Sequence, residues 1–399
     1  MRVTNNQLLL QNLQAIRQRI AELQLQVSSG KRLLSPSHAP ADAARIVEIN
    51  QAIASTEQFQ TNANLAAGRL SQEQGALTSV GDVLQRVREL ALVGRNTHLS
   101  DQDRRFIAAE VRVRLDELVG LANARDGNGE YLFAGSRTDT QPFSQLASGQ
   151  IVYNGDQSER RLQIGSSRQI ADGDPGHRVF MAIRNGNGTF VTDVNCTNTG
   201  TGLIDAGTVI DAASYQAHSF RIVFTGATTY DVVDDTTGTT ALTGQTYADG
   251  ANIAFNGIET RISGAPAAGD EFSVTPSANQ SMFETLNKLI GALESGPAKP
   301  AQEAQFGQAI DRFLSDVDQA QEKLLQIRAA IGSRLNAIDS QKTINENTVL
   351  EFNALKSSLE DTDFVAAVSE LSAQAGSLEA AQRAFVVTQN LSLFNFISP

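Results

Sequence analysis

The two ends of the chain carry the same pattern of apolar residues, which recur alternately three and four positions apart. An α-helix places residues with this spacing on one narrow stripe, and such a stripe is typical of the seam of a coiled coil. The predicted seam residues are Leu9, Leu13, Ile16, Ile20, Leu23 and Val27 near the start of the chain, and Phe364, Val368, Leu371, Leu378 and Phe385 near its end. Because both stripes have polar flanks, we predict that the two helices pack against each other as an antiparallel stalk.

Capping and stop signals in the sequence predict where each helix begins and ends. Thr4 or Asn5 is the expected N-cap of the first helix, and Gly30 its stop. Helices are predicted from about Thr4 to Ser29, from Ala41 onward, from Ser100 or Asp101 to the turn at 126–129, and from Ser281 or Asn279 to Gly296.

The longest periodic run extends from Phe306 to Leu359, and polar residues interrupt its apolar seam. These polar positions are Arg334, Gln341, Asn345 and Thr348. A seam that is polar at several consecutive positions indicates either a device that sets the register or a break between two stacked helical layers.

Between residues 141 and 280 the apolar pattern changes to a period of two, which is typical of half-buried strands. The alternating residues include Phe220, Ile222 and Phe224, then Ile253 and Phe255, then Phe272 and Val274. Turn sequences such as Asp234-Asp-Thr-Thr-Gly238 separate these runs. This segment therefore predicts a β-rich region inserted between two sets of helices.

These patterns together predict an α+β multidomain fold with a long helical stalk. The predicted domains are a terminal coiled-coil core domain (1–42 with 360–399), a helical bundle domain (43–140 with 281–359) and an inserted β-rich outer domain (141–280). The outer domain is either one unit or two subdomains, 141–181 and 182–280.

Composition and charge exclude several classes of function. A net charge of −12 would repel nucleic-acid phosphates and anionic membrane surfaces. The single cysteine, Cys196, excludes an intrachain disulfide and any site built from several cysteines. The first ten residues lack the apolar segment of a secretory signal peptide, and no apolar run is long enough for a membrane span.

The sequence offers no catalytic, metal or cofactor site, so we expect no enzyme activity and no cofactor. The four histidines are isolated and form no H-E-x-x-H pattern. The segment from Asp126 to Glu130 starts like a calcium loop, but Tyr131 and Arg137 stand where that loop requires Gly and Glu. Asn185-Gly-Asn-Gly188 lacks the third glycine of a dinucleotide-binding loop and is expected at a hairpin tip.

The last nine residues contain five large apolar side chains. These are Leu391, Leu393, Phe394, Phe396 and Ile397. Burying each side chain would contribute about 1.5 to 3 kcal/mol, and a two-helix stalk has no interior deep enough to hold them. We therefore expect them to contact another protein, either a chaperone or another subunit.

Several segments at both ends resemble the flagellin family of bacterial flagellar axial proteins. Val27-Ser-Ser-Gly-Lys-Arg-Leu33 with Asp42-Ala-Ala44, and Leu84 to Ala91, are similar to the N-terminal segments of that family. Leu359-Glu-Asp-Thr-Asp-Phe364 and Ala384 to Phe396 resemble its terminal helix. The resemblance covers roughly residues 1–140 and 281–399, with the motifs in the family's order.

Residues 126–143 resemble the members of that family found at the junction of hook and filament. The motif positions are Tyr131, Leu132, Phe133, Gly135, Pro142 and Phe143. The resemblance implies a ring of copies between the first hook-associated protein and the flagellin filament. It also implies export to the extracellular flagellum by the flagellar type III apparatus without a cleaved signal peptide, and a cytosolic chaperone on the C-terminal region. Two alternatives stay open, a filament-forming flagellin and a host- or glycan-binding module carried on a flagellar scaffold.

If neighbouring copies bury the terminal seams, these helices should be weakly protected in the dilute monomer. We predict that backbone amides in residues 1 to about 41 and about 361 to 399 exchange with deuterium much faster than those of the remaining helices. Hydrogen exchange followed by mass spectrometry measures this difference. Strong protection of both ends in the monomer would contradict burial between copies.

Overall fold

A computed structural model describes residues 2–96, 98–296 and 300–397, and in these ranges the side chains of 2–6, 9, 300 and 388–397 lie outside the described part. The described chain contains six α-helices and one π-helical turn. These are α1 Arg2–Ser29, α2 Pro40–Gly94, α3 Asp101–Ala122, the π-helical turn His177–Met181, α4 Met282–Ser295, α5 Pro300–Glu360 and α6 Phe364–Ile397.

Fifteen short strands lie between α3 and α4 in the described chain. They are β1 Phe143–Gln145, β2 Ile151–Tyr153, β3 Arg161–Gln163, β4 Gln169–Ala171, β5 Ile183–Arg184, β6 Phe190–Val194, β7 Leu203–Ile204, β8 Thr208–Val209, β9 Phe220–Gly226, β10 Thr229–Asp234, β11 Thr239–Thr246, β12 Asn252–Phe255, β13 Ile258–Ser263, β14 Glu271–Pro276 and β15 Asn279–Gln280. Long helices at both ends and a β-rich middle confirm the predicted α+β fold class.

Two antiparallel sheets enclose the main core of the β-rich region. One has the strand order β11-β10-β9-β14-β6, and in the other β13 pairs with β12, β7 and β8. The alternating residues predicted from the sequence, Phe220, Ile222, Phe224, Ile253, Phe255, Phe272 and Val274, are all buried in this core. The alternation of apolar and polar residues therefore predicted half-buried strands correctly, because one face of each sheet packs inward. Cys196 is exposed in the segment between β6 and β7.

The chain divides into two compact units. The first contains the residues up to Asn62, the short loop Ile164–Ser167 and the residues from Ser340 onward. The second contains Ala63–Gln163 and Arg168–Asp339. The three predicted domains and their boundaries stay a prediction.

The polar positions in the seam of α5 do not break the helix, which is continuous over 61 residues. The boundary between the two compact units falls among these positions, between Asp339 and Ser340, which agrees with the alternative of a break between two helical layers although the helix itself continues. In the first unit, Asn345 Nδ2 donates to the Ile164 carbonyl at 3.0 Å, and Gln341 Nε2 donates to Asn345 Oδ1 at 3.0 Å. In the second unit, Arg334 bonds Asp174 at 2.7 Å. These polar side chains bind neighbouring loops, which explains why apolar residues are absent there.

Three local predictions differ from the structure. The first helix begins at Arg2, ahead of the expected caps. α3 ends at Ala122, before the predicted turn, because the Asn123 side chain exchanges two hydrogen bonds with the backbone of Phe143, at 3.0 and 2.9 Å. The 185–188 turn is not a hairpin tip, since β5 pairs with β15 and β6 pairs with β14.

Other caps and stops agree with the prediction. Gly30 ends α1 with φ +71°, a conformation that glycine adopts without strain. Ser100 and Asp103 form a capping box at the start of α3. α6 has a cap that was not predicted from the sequence, since Asp363 accepts hydrogen bonds from the amides of Val365 and Ala366, both at 3.0 Å.

Candidate assembly surface and the core of the second unit

Helices α1 and α6 pack side by side in opposite directions within the first unit. Arg19 Nε on α1 donates to Glu370 Oε1 on α6 at 3.0 Å, and twelve residues after Arg19, just past the end of α1, Lys31 pairs with Glu360, the last residue of α5. The residue number of the partner falls from 370 to 360 as the residue number rises from 19 to 31, so α1 and α6 are antiparallel. This arrangement confirms the stalk that the two seams predicted.

Backbone hydrogen bonds join the segment after α1 to the segment between α5 and α6. The Thr362 amide donates to the Gly30 carbonyl at 2.9 Å, and the Arg32 amide donates to the Glu360 carbonyl at 2.7 Å. The Lys31 ammonium pairs with the Glu360 carboxylate, and that hydrogen bond raises the pKa of Lys31. Two sequence segments from opposite ends of the chain therefore satisfy each other's polar groups.

The apolar seam of α1 and α6 is only partly buried in one chain. Leu23 is 1% exposed and Ala367 is 6% exposed, whereas Phe364 is 56% exposed and Val368 39% exposed. The predicted seam residues Leu13, Ile16, Ile20, Val27, Leu371, Leu378 and Phe385 are half-buried. The side chains of Leu9, Leu391, Leu393, Phe394, Phe396 and Ile397 lie outside the described residues. The proposed packing roles of all these residues stay predictions.

A second set of exposed apolar residues lies on α1 and α6 outside the seam, and the seam analysis did not include it. These residues are Leu8, Leu10, Leu25, Val365, Val386 and Val387. They stand one or two positions away from the seam residues, so counting all apolar positions on each helix would have found them. Large apolar areas of this kind mark sites of contact with other proteins.

The motif at 131–143 forms an aromatic core in the second unit. Phe133 and Phe143 are fully buried, and both rings pack against Phe180 with centroids 5.1 and 5.3 Å away. Phe283 on α4 closes the cluster, 5.1 Å from the Phe143 ring. Tyr131, Leu132 and Pro142 are also buried. The motif therefore holds α4 and the loops after α3 together, and the contributions of Phe180 and Phe283 were not apparent from the sequence.

Gly135 allows the motif loop to approach a second loop closely. It has φ +71°, and a Cβ atom placed on it would lie 2.5 Å from the Asp156 carbonyl oxygen. The hydroxyl of Tyr153 bonds that same carbonyl at 2.6 Å and the Phe133 carbonyl at 3.0 Å. Burial, together with the nearby Asp156 carboxylate, raises the pKa of Tyr153 to about 12. Tyr153 therefore keeps its proton and acts as a hydrogen-bond donor between the loops.

A buried arginine connects α2 to the same loop. The Arg69 side chain is 6% exposed, and its Nη1 bonds Asp126 Oδ2 at 2.6 Å while Nη2 donates to the Tyr131 carbonyl at 2.7 Å. Next to it, Arg160 Nη2 bonds the buried Asp172 carboxylate at 2.7 Å. Arg69, Asp126 and Asp172 thus each have an opposite charge within hydrogen-bond distance, which offsets much of their desolvation cost.

Glu73 is the carboxyl group of this cluster with the least compensation. It is fully buried on α2, and its Oε1 accepts the amide of Asp174 at 3.2 Å. Burial, followed by the nearby Asp174 charge, raises the pKa of Glu73 well above its ordinary value, although Arg334 and Arg69 oppose this shift. Asp174 itself is paired with Arg334 at 2.7 Å.

No helix within the described ranges has the combination of length and hydropathy that a membrane span requires.

Two family models match separate parts of the chain. Residues 3–138 match the bacterial flagellin N-terminal helical region, which contains α1 to α3 and part of the 131–143 motif. Residues 194–276 match the D2-like domain of flagellar hook-associated protein 1, which contains most of the two-sheet core.

Similarity to known proteins and to solved structures covers most of the chain. Flagellar hook-associated protein 3 of Escherichia coli (strain K12) is 25% identical over 370 residues, which are 92% of this chain and 90% of that protein. The crystal structure of Xanthomonas campestris FlgL is 36% identical and superposes with a TM-score of 0.72 over 77% of this chain and 99% of that chain. The flagellar junction protein FlgL from Legionella pneumophila is 31% identical, with a TM-score of 0.70 over 79% of this chain and 99% of that chain.

We predict that Gly135→Ala destabilises the second unit more than Gly129→Ala does. Both glycines have positive φ, so the backbone strain is similar, but a Cβ at Gly129 meets no atom within 4 Å. The clash with Asp156 should cost about 1 to 3 kcal/mol beyond the control. Urea unfolding measures both variants, and equal losses would show that the close approach is unimportant.

We predict that Glu73→Gln stabilises the protein increasingly as the pH rises. Because the folded pKa of Glu73 is raised, the native state binds the proton more tightly, and stability is lost as the pH increases from the unfolded pKa through the folded pKa. Glutamine keeps the acceptor for the Asp174 amide and removes this titration. Thermal unfolding of both proteins between about pH 5 and 8.5 tests it; a Tm difference independent of pH would contradict the prediction.

Proposed function

The chain belongs to the flagellar hook-associated protein 3 (FlgL) family, and from this premise we propose that it is a structural subunit of the bacterial flagellum at the junction of hook and filament. In this role, copies of the chain form a ring that connects the hook, through the first hook-associated protein, to the flagellin filament. The protein is then a mechanical connector with no catalytic role.

The exposed apolar face of α1 and α6 is the observation that carries this proposal. The two helices are held together by backbone bonds at one end, yet Phe364, Val365 and Val368 remain exposed. A lone chain in water gains nothing from keeping these groups uncovered. Neighbouring copies, with their own α1 and α6, supply apolar surfaces of the same kind.

The partners and the location follow from the position of the ring. We infer contacts with the first hook-associated protein on one side and with flagellin on the other. The chain would reach the extracellular flagellum through the flagellar type III apparatus without a cleaved signal peptide. A cytosolic chaperone would cover the C-terminal region, including Leu391 to Ile397, until export, since a segment rich in large apolar residues favours aggregation.

The ionisable cluster supports a structural role. Arg69, Asp126, Asp172 and Asp174 are buried and paired within the second unit. A catalytic group must reach a substrate, whereas these charges lie inside the packed core and bind one another.

The proposal predicts that a single change on the apolar face abolishes assembly without unfolding the chain. Phe364→Ser removes a side chain that is 56% exposed, so the Tm of the purified monomer should change little. Cells that carry this variant should lose attached filaments. Ile210→Ser is the matched control, because Ile210 is 58% exposed but lies in the β-rich region. Immunogold labelling of isolated flagella and motility in soft agar measure the outcome.

Wild-type protein and the Ile210→Ser control should be labelled in a narrow band at the boundary of hook and filament. Labelling along the whole filament would contradict the junction role and indicate a flagellin instead. Normal labelling and swimming with Phe364→Ser would show that this face is not the assembly surface.

A further inference from the structure

The Cα atom of Gly173 faces a small polar space in the second unit. A Cβ atom placed on Gly173 would lie 3.6 Å from each of three polar atoms: Arg69 Nε, Glu73 Oε2 and the Leu132 carbonyl oxygen. Arg69, Leu132 and Gly173, but not Glu73, also line a cavity of about 10 Å³. That volume is at the lower limit of the roughly 10 to 15 Å³ that a cavity needs to hold one water molecule.

Two of these three atoms are buried without a hydrogen-bond partner among the described residues. Arg69 Nε and Glu73 Oε2 are both inaccessible to solvent. The Asp172 carboxylate lies 3.9 Å from Arg69 Nε, which is too far for a hydrogen bond. The residues that carry Arg69 Nε and Glu73 Oε2 are almost completely buried, since Glu73 is 0% exposed and Arg69 is 6% exposed. Buried polar groups are nearly always satisfied by protein or by ordered water, so these two atoms require a ligand.

The chemistry of the three atoms identifies that ligand. Arg69 Nε–H is a donor and the Leu132 carbonyl is an acceptor, while Glu73 Oε2 accepts when Glu73 is ionised and donates when it is protonated. A water molecule can accept two hydrogen bonds and donate two, so it matches this set in either protonation state of Glu73. A metal ion or ammonium would face the guanidinium of Arg69, and a halide would face the carboxyl oxygen of Glu73 and a carbonyl oxygen.

We propose that one structural water molecule binds between Arg69, Glu73 and Leu132 above the Cα atom of Gly173. A water in van der Waals contact with the Gly173 Cα atom would lie farther from that atom than a bonded Cβ does. It would therefore lie closer to the three polar atoms. It connects α2 to the 131–143 motif and to the loop after β4. Glycine is required at 173 because a Cβ atom would occupy part of the same space.

Gly173→Ala in the full chain tests the site, with Gly127→Ala as the matched control. Both glycines lack the positive φ that disfavours alanine, and the Cβ at either position meets no atom closer than 3.6 Å. If Gly173 faces only an apolar void, alanine should raise the Tm at both positions, because it restricts the unfolded chain. If water binds there, alanine displaces it and leaves Arg69 Nε and Glu73 Oε2 unpaired. We expect the Tm of Gly173→Ala to fall by several degrees below wild type, while that of Gly127→Ala does not fall.

A crystal structure of the wild-type protein at high resolution provides the second measurement, which does not depend on folding of the variant. The expected result is one ordered water within 3.2 Å of all three polar atoms. A Gly173→Ala protein as stable as the control, or a wild-type structure without density at this position, would overturn the proposal.

Discussion

Hydrogen bonds between Gly30 and Thr362 and between Arg32 and Glu360 bring the two ends of the chain together. Residues separated by more than 300 positions in sequence must meet for these bonds to form, which costs chain entropy. Most of the intervening chain is itself folded, so the loss is much smaller than for a flexible loop. The polar groups of this closure set the register of α1 against α6. Some apolar side chains of the two helices, such as Phe364 and Val365, are left exposed.

A similar division between polar and apolar groups occurs in the second unit. The aromatic rings of the 131–143 motif supply apolar burial, whereas Arg69, Arg160 and Arg334 connect the surrounding loops through defined hydrogen bonds. Apolar packing tolerates small shifts, but a guanidinium that bonds both a carboxylate and a backbone carbonyl fixes direction and distance. Burying these charges costs desolvation free energy, but their hydrogen bonds fix the arrangement of the loops around α2 and α5.

The sequence was most informative where structure depends on neighbouring residues. The seams of α1 and α6, the stop at Gly30, the cap at Ser100 and the alternation in β9 follow from periodicity and capping. The sequence was least informative where distant residues meet. Polar positions on α5 left a register device and a break between helical layers both open, because the loops that Asn345 and Arg334 bind come from residues 164 and 174. The pairing of Arg69 with Asp126, and of Phe143 with Phe283, likewise leaves no periodic signal. The exposed residues beside the seams were missed because only one stripe per helix was considered.

The exposed position of Cys196 has a practical consequence. The chain contains one thiol, and it lies on the surface of the β-rich region, away in sequence from both terminal helices. A maleimide dye would therefore attach once per chain, with no engineered cysteine. The fluorescence of a labelled assembly would then count its copies by stepwise photobleaching.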